Sequence, residues 1–329
     1  MIKTLLAATS LSLLLASGAC ALPKADRIPG PDGGWDYVTL DSAHGRLFVS
    51  RSTGINVVDL QSKAVTAILP DLSRTHIGLP INDGKDVLVT VGSTGEAVIA
   101  DVATGAVKSR VKTGTKPDAA LFDAVSGMVW VMDNKGGGVA LVNPQSGALD
   151  GVIATPGALE FGVSDGAGKV FVNVEDAGEI VAFDAHDRKV IGHYKLAGCE
   201  EPTGLAYDPS NKRLFAACAN KVAAVVSAET GALLATLPIG AGPDAAAYDA
   251  TTHRVFIPTG RDGKVSVIDA DAMKVVATLD GKVSGRTCTL DAKTGKLYLP
   301  AADMTPPKTA NGRPSPTPGT FAVVVVSTR

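Results

Sequence analysis

Short apolar runs broken by polar turns follow one another down this chain, four to a unit of about 40 residues, and the same unit recurs seven times. Within a unit the runs carry β-rich triplets such as Leu47-Phe48-Val49 and Val170-Phe171-Val172, and the turns between them are short. An acidic residue opens one such turn at Asp41, Asp83, Asp123, Asp165, Asp208, Asp249 and Asp291, at intervals of 40 to 43 residues. A second marker ends the third run of six copies at Asp59, Asp101, Asn143, Asp184, Ser227 and Asp269. Two independent markers with one period define a repeat architecture. A four-stranded unit of this length cannot bury both of its faces alone, so it must stack on its copies. Radial closure also protects strand edges that an open array would leave for aggregation. The pattern therefore predicts an all-β, seven-bladed β-propeller of four-stranded blades.

The last copy offers only three strands, over 286–290, 296–300 and 321–327, before the chain stops. Residues 22–29 (LPKADRIP) precede the first blade and have no blade of their own. Pairing them with the open edge of the last blade closes the ring, with the N-terminal strand completing that blade.

Residues 1–21 read differently. Lys3 supplies a positive start, residues 5–16 an apolar stretch too short to span a membrane, and Ala19-Cys20-Ala21 a small-residue cleavage site. This is the pattern of a secretory signal, so the expected mature chain is one domain over 22–329, periplasmic or secreted, without a transmembrane segment. Lipid attachment at Cys20 is the rival reading, although Ser17 stands where such a signal prefers Leu.

Composition then narrows the partners. The chain has 31 basic and 33 acidic residues, so it presents no basic field to attract a phosphate backbone, and nucleic acid is not expected. A monomer is expected, with an unknown small molecule, peptide or protein as partner. Cys199 and Cys218 flank the first hairpin of the fifth copy, which brings them near each other. In an oxidising compartment they would bond; otherwise they are two small buried thiols. Cys288 lies inside an apolar run and is expected to pack.

The aromatic-centred second strands (Phe48, Trp130, Phe171, Phe215, Phe256, Tyr298) and the linkers Gly114-Thr115-Lys116-Pro117-Asp118 and Gly240-Ala241-Gly242-Pro243-Asp244 resemble those of the YVTN-repeat, YncE-like seven-bladed propellers of bacteria. The resemblance covers essentially the whole chain after the signal. It implies the fold and is nearly silent on function, because such families share a scaffold while their sites differ.

Chemistry is sought where the linkers enter each innermost strand, around the mouth of the central channel. One equivalent position per blade holds Asp36, His76, Asp118, Glu160, Thr203, Asp244 and Arg286. Converging carboxylates need a cation, raised pKa values, or solvent between them. The four acids Asp36, Asp118, Glu160 and Asp244 are candidate ligands of a hard divalent cation, Ca, Mg or Mn, with His76 also admitting Zn. The other reading has these side chains capping strand ends or bonding to neighbouring blades. Glu200 and Glu201 add acidity to the same face, or are a solvated turn. Glu175, Asp176, Arg261 and Asp262 are expected in rim loops, whereas the periodic turn acids on the far face need only turn hydrogen bonds to explain them.

The last blade also carries a Pro-rich insertion over 301–319, expected to be either a lid over the mouth or an inert loop. No haem-attachment, phosphate-loop or Gly-x-Ser-x-Gly motif is present. Two functions remain: a binding or interaction protein using the channel-mouth face, or a metal-dependent, lactonase-like hydrolase whose ring carboxylates hold the cation.

Overall fold

The computed structural model describes residues 26–307, 309 and 313–329. The signal-like segment 1–21 and residues 22–25 of the closing segment lie outside it. Seven four-stranded antiparallel sheets are arranged as blades, and each of the first six runs outward in chain order. Blade 1, for example, consists of Trp35–Asp41, Arg46–Arg51, Thr53–Asp59 and Val65–Ser73. In the seventh the order is Thr289–Asp291, Lys296–Ala301, Ala322–Ser327 and then Asp26–Pro29. The N-terminal strand is thus the outer strand of the last blade, with Ile28 opposite Val323.

This closure is stitched by a residue one strand away. Arg51 donates from Nε to Gly34 O at 3.0 Å and from Nη2 to Pro31 O and Gly33 O at 2.8 and 2.9 Å. Its guanidinium lies 3.7 Å from the centre of the Phe321 ring. One buried cation thereby fixes the passage from the closing strand into blade 1.

The core lies between blades, where second and third strands are apolar on both faces. Trp130, Phe48, Phe171, Phe215 and Phe256 are fully buried there, one per second strand. The buried Trp130 indole N–H finds Ser126 Oγ at 3.0 Å.

One irregularity repeats and positions the site. In each of the first five blades the pairing of the innermost strand with the second slips near its start, between Trp35 and Val38, Thr75 and Gly78, Pro117 and Ala120, Leu159 and Gly162, and Pro202 and Leu205. Each slip brackets a mouth residue, and a bulge of this kind re-aims a side chain out of the ladder. The backbone carbonyls it frees are taken up by polar side chains of a neighbouring blade: Thr90 Oγ1 donates to Asp118 O at 2.6 Å, Asn173 Nδ2 to Thr203 O at 2.9 Å and Thr287 Oγ1 to Asp36 O at 2.8 Å. These donors are fully or largely buried in otherwise apolar surroundings, where an unpaired carbonyl would be costly.

Blades 6 and 7 depart from expectation. Their innermost strands begin late, at Ala247 and Thr289, so the residues expected to start them, Asp244 and Arg286, stand in linkers rather than in ladders. Pro243 has no N–H to donate and keeps a single bridge to Thr259. Gly242 beside it has a left-handed backbone, φ 69°. The pair turns the chain across the mouth instead of along it.

Candidate functional site

The bulges bring the mouth residues together around one opening. His76 Nδ1 faces two carboxylates at once, Asp36 Oδ2 at 2.7 Å and Asp118 Oδ1 at 2.9 Å. Arg286 reaches Asp244 Oδ2 from Nε at 2.8 Å and Asp36 Oδ1 from Nη2 at 3.4 Å. Lys116 Nζ lies 3.6 Å from Asp118 Oδ2. Five blades are thereby joined in one run of alternating charge: Asp244, Arg286, Asp36, His76, Asp118, Lys116.

Glu160 closes the other side. Its Oε1 accepts from Asn134 Nδ2 at 2.6 Å, and Asn134 Oδ1 in turn accepts from Lys116 Nζ at 2.8 Å. Its Oε2 accepts from the Tyr37 hydroxyl at 3.4 Å, from a blade on the opposite side of the channel. The Tyr37 and Phe161 rings meet with centres 5.6 Å apart. Aromatic side chains therefore fill the axis just beneath the charged ring.

The electrostatics follow from this crowding. Burial works to lower the pKa of His76, but the hydrogen bonds to Asp118 and Asp36 prevail and raise it to about 9, so the ring is cationic at neutral pH. Burial raises Asp244 to about 7; Arg286 opposes this while Asp36, Asp118 and Glu175 reinforce it. Burial, then the charges of Asp118 and Asp244, push Glu160 upward too. Tyr37, enclosed and ringed by the same carboxylates, lies well above the ordinary phenol value. His76 and Lys116 join Arg286 as counter-charges to the mouth acids.

The remaining expected site residues are placed differently. Thr203 Oγ1 donates to Pro243 O at 3.3 Å and so ties blade 5 to blade 6. Glu201 sits in the exposed turn after Cys199, with φ 47°. Cys199 and Cys218 form a disulfide across the start of blade 5. Free Cys288 is half-buried against the core between blades 6 and 7, and burial pushes its thiol up to about 12. Glu175 belongs to a single 3-10 turn, Glu175–Ala177, at the rim.

As a metal site, the ring divides. Among the described residues the group whose ligand atoms lie within 4.8 Å of one another is Asp36, His76 and Asp118. Asp244 is engaged by Arg286 and Glu160 by Asn134 and Tyr37, so the four carboxylates do not share one ligand set. His76 Nε2 is buried without a hydrogen-bond partner among the described residues, beside Gly92, where a Cβ would stand 2.7 Å away.

The blade-7 insertion forms a two-stranded hairpin, Met304–Thr305 with Ser315–Pro316, over part of this mouth. Between them is a cavity of 750 Å³ lined by Asp244 and Arg286 of the ring, Trp35, Arg261, and Met304 and Pro316 of the hairpin. Sequence reasoning missed Tyr37, Lys116 and Asn134. Lys116 stands inside the linker Gly114-Thr115-Lys116-Pro117-Asp118, two residues before Asp118, which is a signal in the sequence; Asn134 has none.

The fold and this mouth define a seven-bladed β-propeller whose site is a set of linker and bulge residues. Part of the chain, 189 residues or 55% of it, is 24% identical to the uncharacterized protein YncE of Salmonella typhi and 23% identical to its counterpart in Salmonella typhimurium. The chain spans about half the length of these curated relatives, 53%. Sequence match and blade arrangement together support a YncE-like seven-bladed propeller. No family model matches the chain. Among solved structures, Kuenenia stuttgartiensis hydrazine synthase superposes with a TM-score of 0.70 over 86% of this chain and 95% of that one, at 14% identity, a likeness of fold alone.

Proposed function

We propose that this propeller is a periplasmic binding protein that holds a small ligand, peptide or protein segment at its charged mouth, beneath the blade-7 hairpin. The observation that carries this reading is the 750 Å³ cavity shared by ring residues and hairpin. Its volume falls in the range of small-molecule sites. The ring acids are held in fixed ion pairs and hydrogen bonds, which suits a rigid recognition surface better than a mobile general base. A periplasmic setting is supported by the signal-like start of the sequence and by a disulfide, which persists where thiols are oxidised.

The test is a thermal-shift screen of small molecules on the intact protein and on a variant with residues 304–316 replaced by a short Gly-Ser turn. Hits that raise the melting temperature of the first and lose their effect on the second support the reading. A screen without hits, or hits indifferent to the hairpin, overturns it.

A metal-dependent hydrolase is the second reading, favoured by the close approach of the Asp36, His76 and Asp118 ligand atoms. A divalent cation there would supply Lewis acidity toward a carbonyl. Stoichiometric Ca, Mg or Mn in the purified protein, lost in an Asp36→Ala/Asp118→Ala variant, would establish the site. Protein without metal after incubation with each ion removes the mechanism.

A further inference from the structure

The cavity under the hairpin has a charge that sets it apart from the rest of the mouth. Three arginines line it, Arg261, Arg286 and Arg313, against a single acid, Asp244. Asp244 is taken by Arg286. The ion pairs formed among the described residues include neither Arg261 nor Arg313, and both side chains are exposed. Of the nearby acids, Asp303 pairs with Lys282 and Asp262 accepts the Ala241 N–H, while Glu200 and Glu201 reach the Ala219 edge of the cavity through their backbone carbonyls, not their carboxylates. Among the residues that line the cavity this is an excess of positive charge, in a chain with more acidic than basic residues.

The arginine stems are seated by glycines. A Cβ on Gly242, where φ is 69°, would come within 2.6 Å of Arg261 Cγ, and one on Gly260 within 2.9 Å of Arg286 Cβ. Opposite them the wall is apolar. Trp35 leans on Phe321 with ring centres 5.3 Å apart, and Met304, Pro314 and Pro316 line the same cavity. Guanidinium groups recognise planar oxyanions through paired hydrogen bonds, and a fixed indole offers a flat apolar surface.

Building on the binding reading above, we propose that this cavity takes an organic anion with a flat apolar body, its oxyanion head on Arg261 and Arg313 and its body between Trp35 and the hairpin. Uncharged and cationic compounds of the same shape are discriminated against, because Arg261 and Arg313 then gain no partner.

Isothermal titration calorimetry with 2-naphthoate, 2-naphthyl phosphate, 2-naphthamide and 2-naphthylmethylammonium tests this on the full chain. The two anions are expected to bind at least tenfold more tightly than the amide, with the tighter of the two assigning the head group. Arg261→Gln/Arg313→Gln should erase that preference while leaving the amide unchanged. Arg313→Gln alone, on the exposed hairpin, should weaken the anions in the same direction and guards against a folding defect in the double variant. Equal binding of amide and anion, or tighter binding of the ammonium, overturns the anion assignment and leaves the binding reading standing. No binding of any of the four compounds overturns the assignment, and the hairpin-dependent screen separately decides the broader reading.

Discussion

The two ends of the central channel are built from the same seven innermost segments, strands together with the linkers that enter blades 6 and 7, and have different chemistry. At the mouth stand Asp36, His76, Asp118, Glu160, Thr203, Asp244 and Arg286; four residues further along the chain, toward the far opening, stand Leu40, Pro80, Phe122, Ser164, Tyr207, Tyr248 and Leu290. Leu40, Pro80 and Phe122 line one depression there together with Asp41, His44 and Lys85 of the turns, and Tyr207 and Tyr248 line another. Both ends are rich in aspartate nearby, yet the acids behave differently. On the far face Asp123 accepts from Ser126 N at 2.7 Å and Asp249 from Thr251 N at 2.9 Å, partners two or three residues away, each beside one remote donor, Ser164 Oγ at 2.6 Å and Arg329 Nη2 at 3.4 Å. At the mouth the partners are remote: 40 residues separate Asp36 from His76, 123 separate Glu160 from Tyr37, and 250 separate Asp36 from Arg286. An acid used by its own turn is a folding device, and an acid held by another blade is part of a surface assembled only when the ring closes.

Removing the mouth's covalent staple should have the largest effect. Cys199→Ser/Cys218→Ser releases a loop of about 20 residues and should cost about 3 kcal/mol, seen as a lower urea midpoint, with the Ala219 wall of the cavity loosened as well. If the midpoint holds, the mouth linkers are as self-sufficient as the far turns. Next, Asp123→Ala strips the carboxylate that receives Ser126 and Ser164 and should cost about 2 kcal/mol by the same measurement, without altering anion binding at the mouth. A binding change there would break the division between the ends.

Separation by pH is the third test. Asp244, raised from 3.8 to about 7, contributes stability fully below pH 3.8 and loses it as pH rises through about 7. His76, raised from 6.5 to about 9, contributes fully below pH 6.5 and loses it as pH rises through about 9. Asp41 and Asp249 on the far face lie below their ordinary value of 3.8: burial opposes this, but His44 and Arg46 around Asp41 and Thr251, Thr252 and Arg329 around Asp249 prevail. Their contribution is present above pH 3.8 and is lost as pH falls below it. The mouth therefore contributes to the alkaline limb of stability and the far turns to the acid limb. His76→Gln should flatten the limb between pH 6.5 and 9, a change on the order of 1 to 2 kcal/mol in urea unfolding, and leave the acid limb in place. A changed acid limb contradicts the assignment. The smallest effect is expected at Phe122, whose side chain is 46% exposed: Phe122→Ser should shift stability by less than about 0.5 kcal/mol and leave naphthoate binding unaltered.

Much of this was legible beforehand. The blade count, the closing strand and the turn role of Asp123, Asp208 and Asp249 follow from periods and from partners close in sequence. The late starts of the innermost strands in blades 6 and 7 were not legible, because Gly242 and Pro243 read equally well as a linker or as the first residues of a strand. The equivalent position at each strand start could be counted out, but not the neutralisation of its acids. Lys116 and Asn134 act through side-chain reach across blades, and no spacing along the chain encodes that distance.

The sequence by itself determined that four-stranded units of one period must close on themselves and which acids cap their turns, since these rest on burial and on hydrogen bonds spanning a few residues. Only the tertiary structure decided that His76 would sit between Asp36 and Asp118, that Arg286 would bind Asp244, and that arginines would gather under the hairpin. Charge interactions depend on separation in space and on exclusion of water, and both come into being only when blades distant in the chain meet at a common axis.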